Sequence, residues 1–461
     1  MCVRGDLQRG TDDSNETFAP VVEWATIRMV FTLALLEDWT TASIDFKNAF
    51  AQATLPKPIY LELPPGYAQA NPGHKNFVMK INKSLYGDRR AANLWYRKLR
   101  ATLELAKFGF TVSTMDPCLF IRKDCIIVLY VDDAIVFAKS EETIQGLFKD
   151  LRDDGYDFSR DGTFSAYLGI QLDHRDDGTV KLSQPGLKQS ILEVMGLTDA
   201  NAQPTPISTP LFKHANTEPF DQSFNYRSAL GMLQYVGNNT HPECAYAINS
   251  CARYCISPRQ AHGTALKRIA RYLKGVMDEG LVISSEGDLA LDLHVDADFA
   301  GNYHKDDVDD PSSLHSRTGF VITFGSVPVL WKSRIQTEIA LSTMEAEYIA
   351  LSTVMRSLIQ LRSLLFEIDG AFDLGLSSRV STISTVFEDN RACRILATTD
   401  PPRLTPRSKS LAVKYHWFRT HLSEDTIVIK DVPSDLQKGD GFTKPLAYEK
   451  FLTFRKSICG W

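Results

Sequence analysis

The sequence predicts a multidomain protein of mixed class, α/β and α+β, and three observations carry that prediction. Residues 1 to about 195 interleave short β-branched and aromatic runs with helical stretches. Residues 225–278 hold long helical patterns and almost no strand signal. From about residue 287 alternation of apolar and polar residues returns and leads into an ordered series of strands and helices. A chain of 461 residues has room for two or three domains, each with its own core.

In the first region "IDFKNAF" and "LYVDD" lie at the ends of apolar runs. Residues 126–130 and 134–138 are short, β-branched and aromatic, which predicts two strands joined by a tight turn at Asp132 and Asp133. Asp is a common turn residue, so the pair alone fits a turn. Adjacent ionised carboxylates also repel, and each costs several kcal/mol to take out of water unless something such as a metal ion compensates. The stretch "NAQPTPISTPLFKHANTEPF" (201–220) reads as a tether. The helical module that follows has basic faces such as "ALKRIARYLKG". Next, "LALDLHVDAD" alternates, and "GFVITFGSVPVLW" reads as two strands around a Gly325-Ser326 turn. "STMEAEYIALSTVMRSLIQLRSLL" is helical, with Ser342 and Thr343 as caps and Glu345 and Glu347 in the first turn. A strand "STISTVFED", a short helix after Asn390, a helix "LAVKYHWFRTHL", a strand "TIVIKDV" and a final acidic turn complete an α/β unit with a mixed sheet. The acidic run "DDVDDP" (306–311) lacks apolar framing and reads as a solvated loop.

With 44% hydrophobic and 23% charged residues the chain reads as folded rather than disordered. No run of about 18 apolar residues is present, so no membrane-spanning helix is expected. The first 18 residues lack an apolar core, which argues against a secretory signal. Eight dispersed cysteines suit reduced thiols in an intracellular compartment. Cys244, Cys251, Cys255 and His262 do not match zinc-ligand spacing and read as core residues. A net charge of -5 argues against indiscriminate polyanion binding, although local basic patches and metal-binding acids are compatible with it. One such patch, "SLYGDRRAANLWYRKLR" (84–100), interleaves Arg89, Arg90, Arg97, Lys98 and Arg100 with Tyr86, Trp95 and Tyr96. That composition suits phosphate contact with stacking, and equally an exposed amphipathic helix.

Two sets of carboxylates stand out. Asp45 follows a short apolar segment, and with Asp132 and Asp133 it meets the requirement for two metal ions roughly 3.5–4 Å apart, the usual device for in-line attack at phosphorus. In the C-terminal region Asp296 ends a strand on the face opposite Leu291, Leu293 and Val295, and Asp389 ends another strand. Glu345 and Glu347 stand about 200° apart on their helix. Glu347 shares the sheet-facing side with Met344, Ala350, Leu351 and Val354, so it is the buried acid that needs explaining. Asp440 lies in the last turn before "FTKPL". Any one of these fits a solvated acid at a strand end; four from separate elements suggest a site.

"SIDFKNAFAQATLPKPIYLELPPGY", "KSLYGDRRAANLWYRKL" and "DPCLFIRKDCIIVLYVDD", in this order, resemble the reverse transcriptase of copia-type LTR retrotransposons. The resemblance continues through "YLGIQL", "YRSALGMLQYV", "RYLKG", "SRTGFVITFGSVPVLWKS", "STMEAEYIAL" and "FTKPL", and so covers nearly the whole chain. It implies a right-hand polymerase of fingers, palm and thumb, followed by a ribonuclease H-like α/β domain with a mixed five-stranded sheet. The implied boundaries are 1–197 for fingers and palm, 198–286 for tether and helical thumb or connection, 287–447 for the ribonuclease H-like domain and 448–461 for a tail. The implied activities are RNA- and DNA-templated DNA synthesis and cleavage of RNA in RNA–DNA hybrids, both by two-metal chemistry with Mg2+, or Mn2+ in its place. The implied partners are RNA template, DNA primer, RNA–DNA hybrid and deoxynucleoside triphosphates, with integrase and capsid of the same element as further partners and no membrane. The implied setting is a cytoplasmic virus-like particle, with the nucleus as the alternative.

Carried over by residue, Asp45 and Asp132 match the metal-binding aspartates of the polymerase, with Asp133 in support. Phe50 matches the steric gate against a ribonucleotide, and Tyr86 and Gly87 fall in the segment over the nascent base pair. Tyr167, Leu168 and Gly169 resemble the primer grip. Arg89, Arg97 and Lys98 are candidate nucleic-acid contacts. Asp296, Glu347, Asp389 and Asp440 resemble the acids of a ribonuclease H. Two departures are visible: Arg90-Ala91-Ala92 stands where the family usually has Gln-Ala-Pro, and Gly439 replaces the usual Ala before the last Asp. "MCVRGDLQ" resembles the middle of the family's fingers region, and no protease, integrase or capsid-like segment is seen, which suggests a processed or truncated piece. A catalytically weak remnant that folds and binds nucleic acid is the alternative to an active enzyme.

Overall fold

The computed structural model describes residues 2–8, 17–74, 76–161, 166–213, 218–284, 289–305, 311–375, 383–399 and 415–461. In chain order its strands are β1 (Thr40–Phe46), β2 (Thr54–Leu61), β3 (Met79–Lys83), β4 (Thr111–Val112), β5 (Leu119–Arg122), β6 (Cys125–Tyr130), β7 (Asp133–Ala138), β8 (Phe158–Asp161), β9 (Ala166–Tyr167), β10 (Ile170–His174), β11 (Val180–Ser183), β12 (Gly280–Ile283), β13 (Leu291–Asp298), β14 (Arg317–Phe324), β15 (Val327–Ile335), β16 (Ser384–Phe387) and β17 (Ile427–Lys430). They form sheets of order β4-β5-β6-β7-β1-β8, β2-β3, β12-β11-β10-β9 and β15-β14-β13-β16-β17. Contacts divide the chain into two units. One comprises Met1–Glu23, Asp38–Phe164 and Glu367–Leu374; the other comprises Trp24–Glu37, Ser165–Phe366 and Gly375–Trp461. The expected boundaries at 197 and 286 therefore fall inside the second unit.

In the first unit β6 and, beyond Asp133, β7 are apolar because they lie in the interior of the six-stranded sheet, with Ile126, Val128, Ala134, Val136 and Phe137 fully buried. The helix Ala91–Leu103 buries Trp95, Leu99 and Leu103. The helix Glu141–Asp153 starts where Ser140 Oγ accepts the Thr143 N–H at 3.3 Å, with Glu141 and Glu142 in its first turn. Its buried residues, Ile144, Leu147, Phe148 and Leu151, repeat at helical spacing.

In the second unit the helices Tyr226–Asn239, Ala245–Ala252 and Gln260–Gly275 form the expected helical module. Two features depart from expectation there. Residues 280–283, assigned to that module, form β12 and pair with β11. The tether packs rather than dangles: Thr205 and Ile207 are buried, Arg268 donates to Thr205 Oγ1 at 2.8 Å, and the Gln203 N–H donates to the Arg271 carbonyl. Pro and Thr interrupt regular structure without preventing burial.

The five-stranded sheet is mixed: β13–β14 and β14–β15 are antiparallel, whereas β13–β16 and β16–β17 are parallel. Gly325 and Ser326 both take positive φ between β14 and β15, as a two-residue hairpin turn requires. The helix Thr343–Phe372 is capped by Ser342, whose Oγ accepts the Glu345 N–H at 3.2 Å. This helix is long and apolar enough to cross a membrane by length and composition alone, although it holds no run of about 18 apolar residues. Its apolar residues Leu351, Val354, Met355 and Leu358 are buried in the protein, which accounts for its composition. The helix Trp24–Leu36 also belongs to the second unit. There Arg28 is buried, donates to the carbonyls of Val329 at 2.9 Å and Asn238 at 3.0 Å, and stacks over Trp331. Of the expected helix at 411–422, residues 417–421 form a 3-10 turn and 411–414 lie outside the described residues, as do 306–310 of the acidic run.

Candidate active sites

In the first unit, sheet parity fixes which way the acids face. Ala42, Ile44 and Phe46 of β1 are buried, and Phe46 meets Trp95, Phe158 and Tyr156 edge-on at 5.0, 5.8 and 6.0 Å. Alternation then turns Asp45 to the opposite face, where it is exposed. Register places Asp45 directly opposite Asp133 on β7, and the Phe46 N–H donates to the Asp132 carbonyl at 3.0 Å. Asp132 is the second residue of the two-residue β6–β7 turn, after Val131 at φ 58°. Positive φ strains a β-branched residue. The buried Trp95 indole, donating to the Val131 carbonyl at 2.7 Å, holds that turn in place.

Phe50 and Tyr86 stand together, ring centroids 4.6 Å apart. Burial raises the Tyr86 hydroxyl pKa, and the charges of Asp132 and Asp45 raise it further, so this aromatic pair lies beside the acids. Gly87 has φ 93°, and a Cβ there would stand 2.0 Å from the Val3 carbonyl oxygen; the position admits no side chain. Arg89 is exposed and donates to the Asp6 carbonyl, and Arg97 is exposed on its helix. Lys98 donates to the Gln52 carbonyl at 3.0 Å and lies over the Tyr156 ring. Trp95 and Tyr96 are buried, so the interleaved aromatics of this helix are core residues and offer no stacking surface. Arg90 is likewise buried beside Asp88.

Tyr167 ends β9, and Leu168 and Gly169 form the β9–β10 turn in the second unit, with Leu168 at φ 51°. Tyr235 Oη donates to the Leu168 carbonyl at 2.7 Å and fixes the turn to the helical module.

The second acid site is built at the carboxyl ends of the parallel neighbours β13 and β16. Asp296, Glu347 and Asp389 each bring an oxygen within 4.8 Å of the others, the one such group among the described residues. Asp45, Asp132 and Asp133 do not gather at that spacing, and Asp440 stands beside the trio, bound to Lys444 at 2.7 Å. Asp296 is buried; burial, then the charge of Asp440, pushes its carboxyl up to about 7. Burial pushes Glu347 well up too, followed by the charges of Glu388, Asp296 and Asp389. Glu347 Oε2 is buried with no hydrogen-bond partner. A cluster of hard oxygen donors with an orphaned buried oxygen on Glu347 fits a divalent metal ion.

Three residues outside the sequence reading hold this site. Gln437 donates to the carbonyls of Val295 at 3.0 Å and Phe387 at 3.1 Å, and its Oε1 accepts the Gly439 N–H, tying both strands to the terminal turn. Thr443 Oγ1 donates to Asp296 Oδ2. Glu388, fully buried, adds a further carboxylate, and burial pushes it up to about 8. None carries a local signal: a Gln or Thr in a turn reads as surface until its partners are known. Gly439 has a reason visible only in three dimensions, since a Cβ there would stand 2.6 Å from Asp296 Cβ.

The raised carboxyl values set a pH dependence. In the absence of divalent cations, Asp296 and Glu388 keep protons in the folded state that the unfolded chain releases near about pH 4. Stability is then full below about pH 4 and is lost as pH rises through about 7 to 8. Mg2+ should accordingly raise the melting temperature more at about pH 8 than at about pH 6, relative to EDTA. Equal gains at both would place cation binding elsewhere.

Residues 1–209 match the family described as reverse transcriptase (RNA-dependent DNA polymerase). The chain is 31% identical, over 98% of its length and 33% of the relative's, to the retrovirus-related Pol polyprotein from transposon TNT 1-94 of Nicotiana tabacum. It is 29% identical, over 99% of its length and 30% of the relative's, to that from transposon RE2 of Arabidopsis thaliana. A putative transposon Ty5-1 protein of Saccharomyces cerevisiae matches at 29% over 68% of this chain and 99% of its own length. The chain belongs to the Pol family of copia-type retrotransposons. It spans about a third of the length of the Pol polyproteins named here.

Proposed function

We propose that this chain is a reverse transcriptase with ribonuclease H activity, extending a DNA primer on RNA or DNA and cleaving RNA in RNA–DNA hybrids. On this reading the first unit supplies fingers and palm, the helical module supplies the thumb, and the five-stranded sheet with its helices is a ribonuclease H-like domain. The observation that carries it is the pairing of Asp45 with Asp133, next to the Val131-Asp132 turn and beside Phe50 and Tyr86, within the segment that matches the reverse transcriptase family.

Magnesium, or manganese in its place, held by Asp45 and Asp132 in one unit and by Asp296, Glu347, Asp389 and Asp440 in the other, would activate the attacking oxygen and stabilise the leaving one. The protein's own part is to fix the carboxylates on sheet ends and to orient the substrate. Phe50 bounds the sugar pocket with Tyr86 behind it, so exclusion of a 2′-hydroxyl is by contact. Phe50→Ala should raise ribonucleotide incorporation in a primer-extension assay; unchanged discrimination would put the gate elsewhere. The ribonuclease site takes a hybrid because 2′-hydroxyls on one strand and a deoxy backbone on the other are read by shape across the minor groove. The direct test is primer extension by the purified chain on RNA and DNA templates with Mg2+. Extension on both supports the reading, and none on either overturns it.

A further inference from the structure

We propose that Glu388 is a positioning residue of the second acid site, a fifth carboxylate that draws a divalent cation to Glu347 and holds that side chain ready to receive it. The proposal rests on the ribonuclease reading above. Glu388 follows β16 and immediately precedes Asp389, so the strand that delivers one acid of the trio delivers this one as well. Its side chain is fully buried. Its Oε1 accepts the Asn390 N–H at 3.0 Å, while Oε2 is buried with no hydrogen-bond partner.

The guanidinium of Arg394, six residues on, is engaged elsewhere. Arg394 donates to the Glu388 backbone carbonyl at 2.7 Å and pairs with Asp431, so its charge is directed away from the carboxylate. Glu347 Oε2 is also buried and orphaned, and among neighbouring charges Glu388 acts on Glu347 most strongly. Two buried carboxylates without a paired cation are costly side by side. A dication at the trio converts their repulsion into attraction for both. Because Asp389, and not Glu388, completes the group of oxygens within 4.8 Å, Glu388 acts through Glu347 rather than as a ligand.

The test uses the full chain carrying Asp45→Asn and Asp132→Asn, so that the acids of the first unit do not contribute, with Mn2+ alone and no nucleic acid. Mn2+ affinity is measured by electron paramagnetic resonance and melting by calorimetry in EDTA and in Mn2+. Glu388→Gln should weaken Mn2+ binding about 10- to 100-fold, the usual effect of losing an outer carboxylate. Glu388→Asp keeps the charge and should recover most of the affinity, which a purely structural role would not require. Unchanged affinity in Glu388→Gln, against a parent that binds, overturns the proposal and leaves the ribonuclease reading standing. A parent that binds no Mn2+ overturns both.

Discussion

Glu347→Gln should abolish degradation of the RNA strand of an RNA–DNA hybrid while primer extension on a DNA template stays near its original rate. Glu347 is placed by three local features: the Ser342 cap that starts its helix, the apolar residues Ala350, Leu351 and Val354 that turn the same face inward, and the Ala297 backbone that bonds its carboxylate. Gln preserves the shape and removes the charge. A lost carboxylate in a metal-assisted hydrolysis forfeits several kcal/mol of transition-state stabilisation, so cleavage should fall at least ~10³-fold. The fold should survive, because burial and the neighbouring acids Glu388 and Asp296 already disfavour an ionised Glu347, and Gln puts a neutral group of the same shape in its place. A melting curve in EDTA no worse than that of the unaltered protein checks this.

Asp132→Asn should do the converse. Its position depends on the β6–β7 turn, where Trp95 holds the Val131 carbonyl, and on the Phe46–Asp132 backbone bond to β1. Asn is a good turn residue, so the hairpin should persist. What is lost is the charge at the turn beside Asp45, and DNA synthesis should fall by at least ~10³-fold on the same reasoning. Hybrid cleavage should remain, since Asp296, Glu347 and Asp389 belong to the other unit. Retained synthesis in Asp132→Asn would remove this residue from the polymerase site.

The parts of the molecule legible in the sequence are those specified locally. The hairpin at Asp132, the Gly325-Ser326 turn and the cap at Ser342 each follow from a few neighbouring residues, and the inward face of Glu347 follows from helical period alone. What was not legible depends on pairing across the chain. β12 belongs with β11 through register pairs such as Leu182 with Leu281, which no window along the sequence contains. Trp95 sits in a basic, aromatic helix whose composition suits a nucleic-acid surface, yet Phe46 and Val131 claim it for the core. Gln437 and Glu388 matter because two parallel strands and a terminal turn converge on them. The helix Thr343–Phe372 packs its apolar residues into the protein, as its helical period in the sequence implies.

The most direct measurement follows primer extension and hybrid cleavage in one preparation across a magnesium titration, for the unaltered chain, Glu347→Gln and Asp132→Asn. Two separate acid sites predict that each substitution removes one activity at every magnesium concentration and leaves the other with its original magnesium dependence. If each substitution instead removes both activities while the protein remains folded, two independent sites are contradicted.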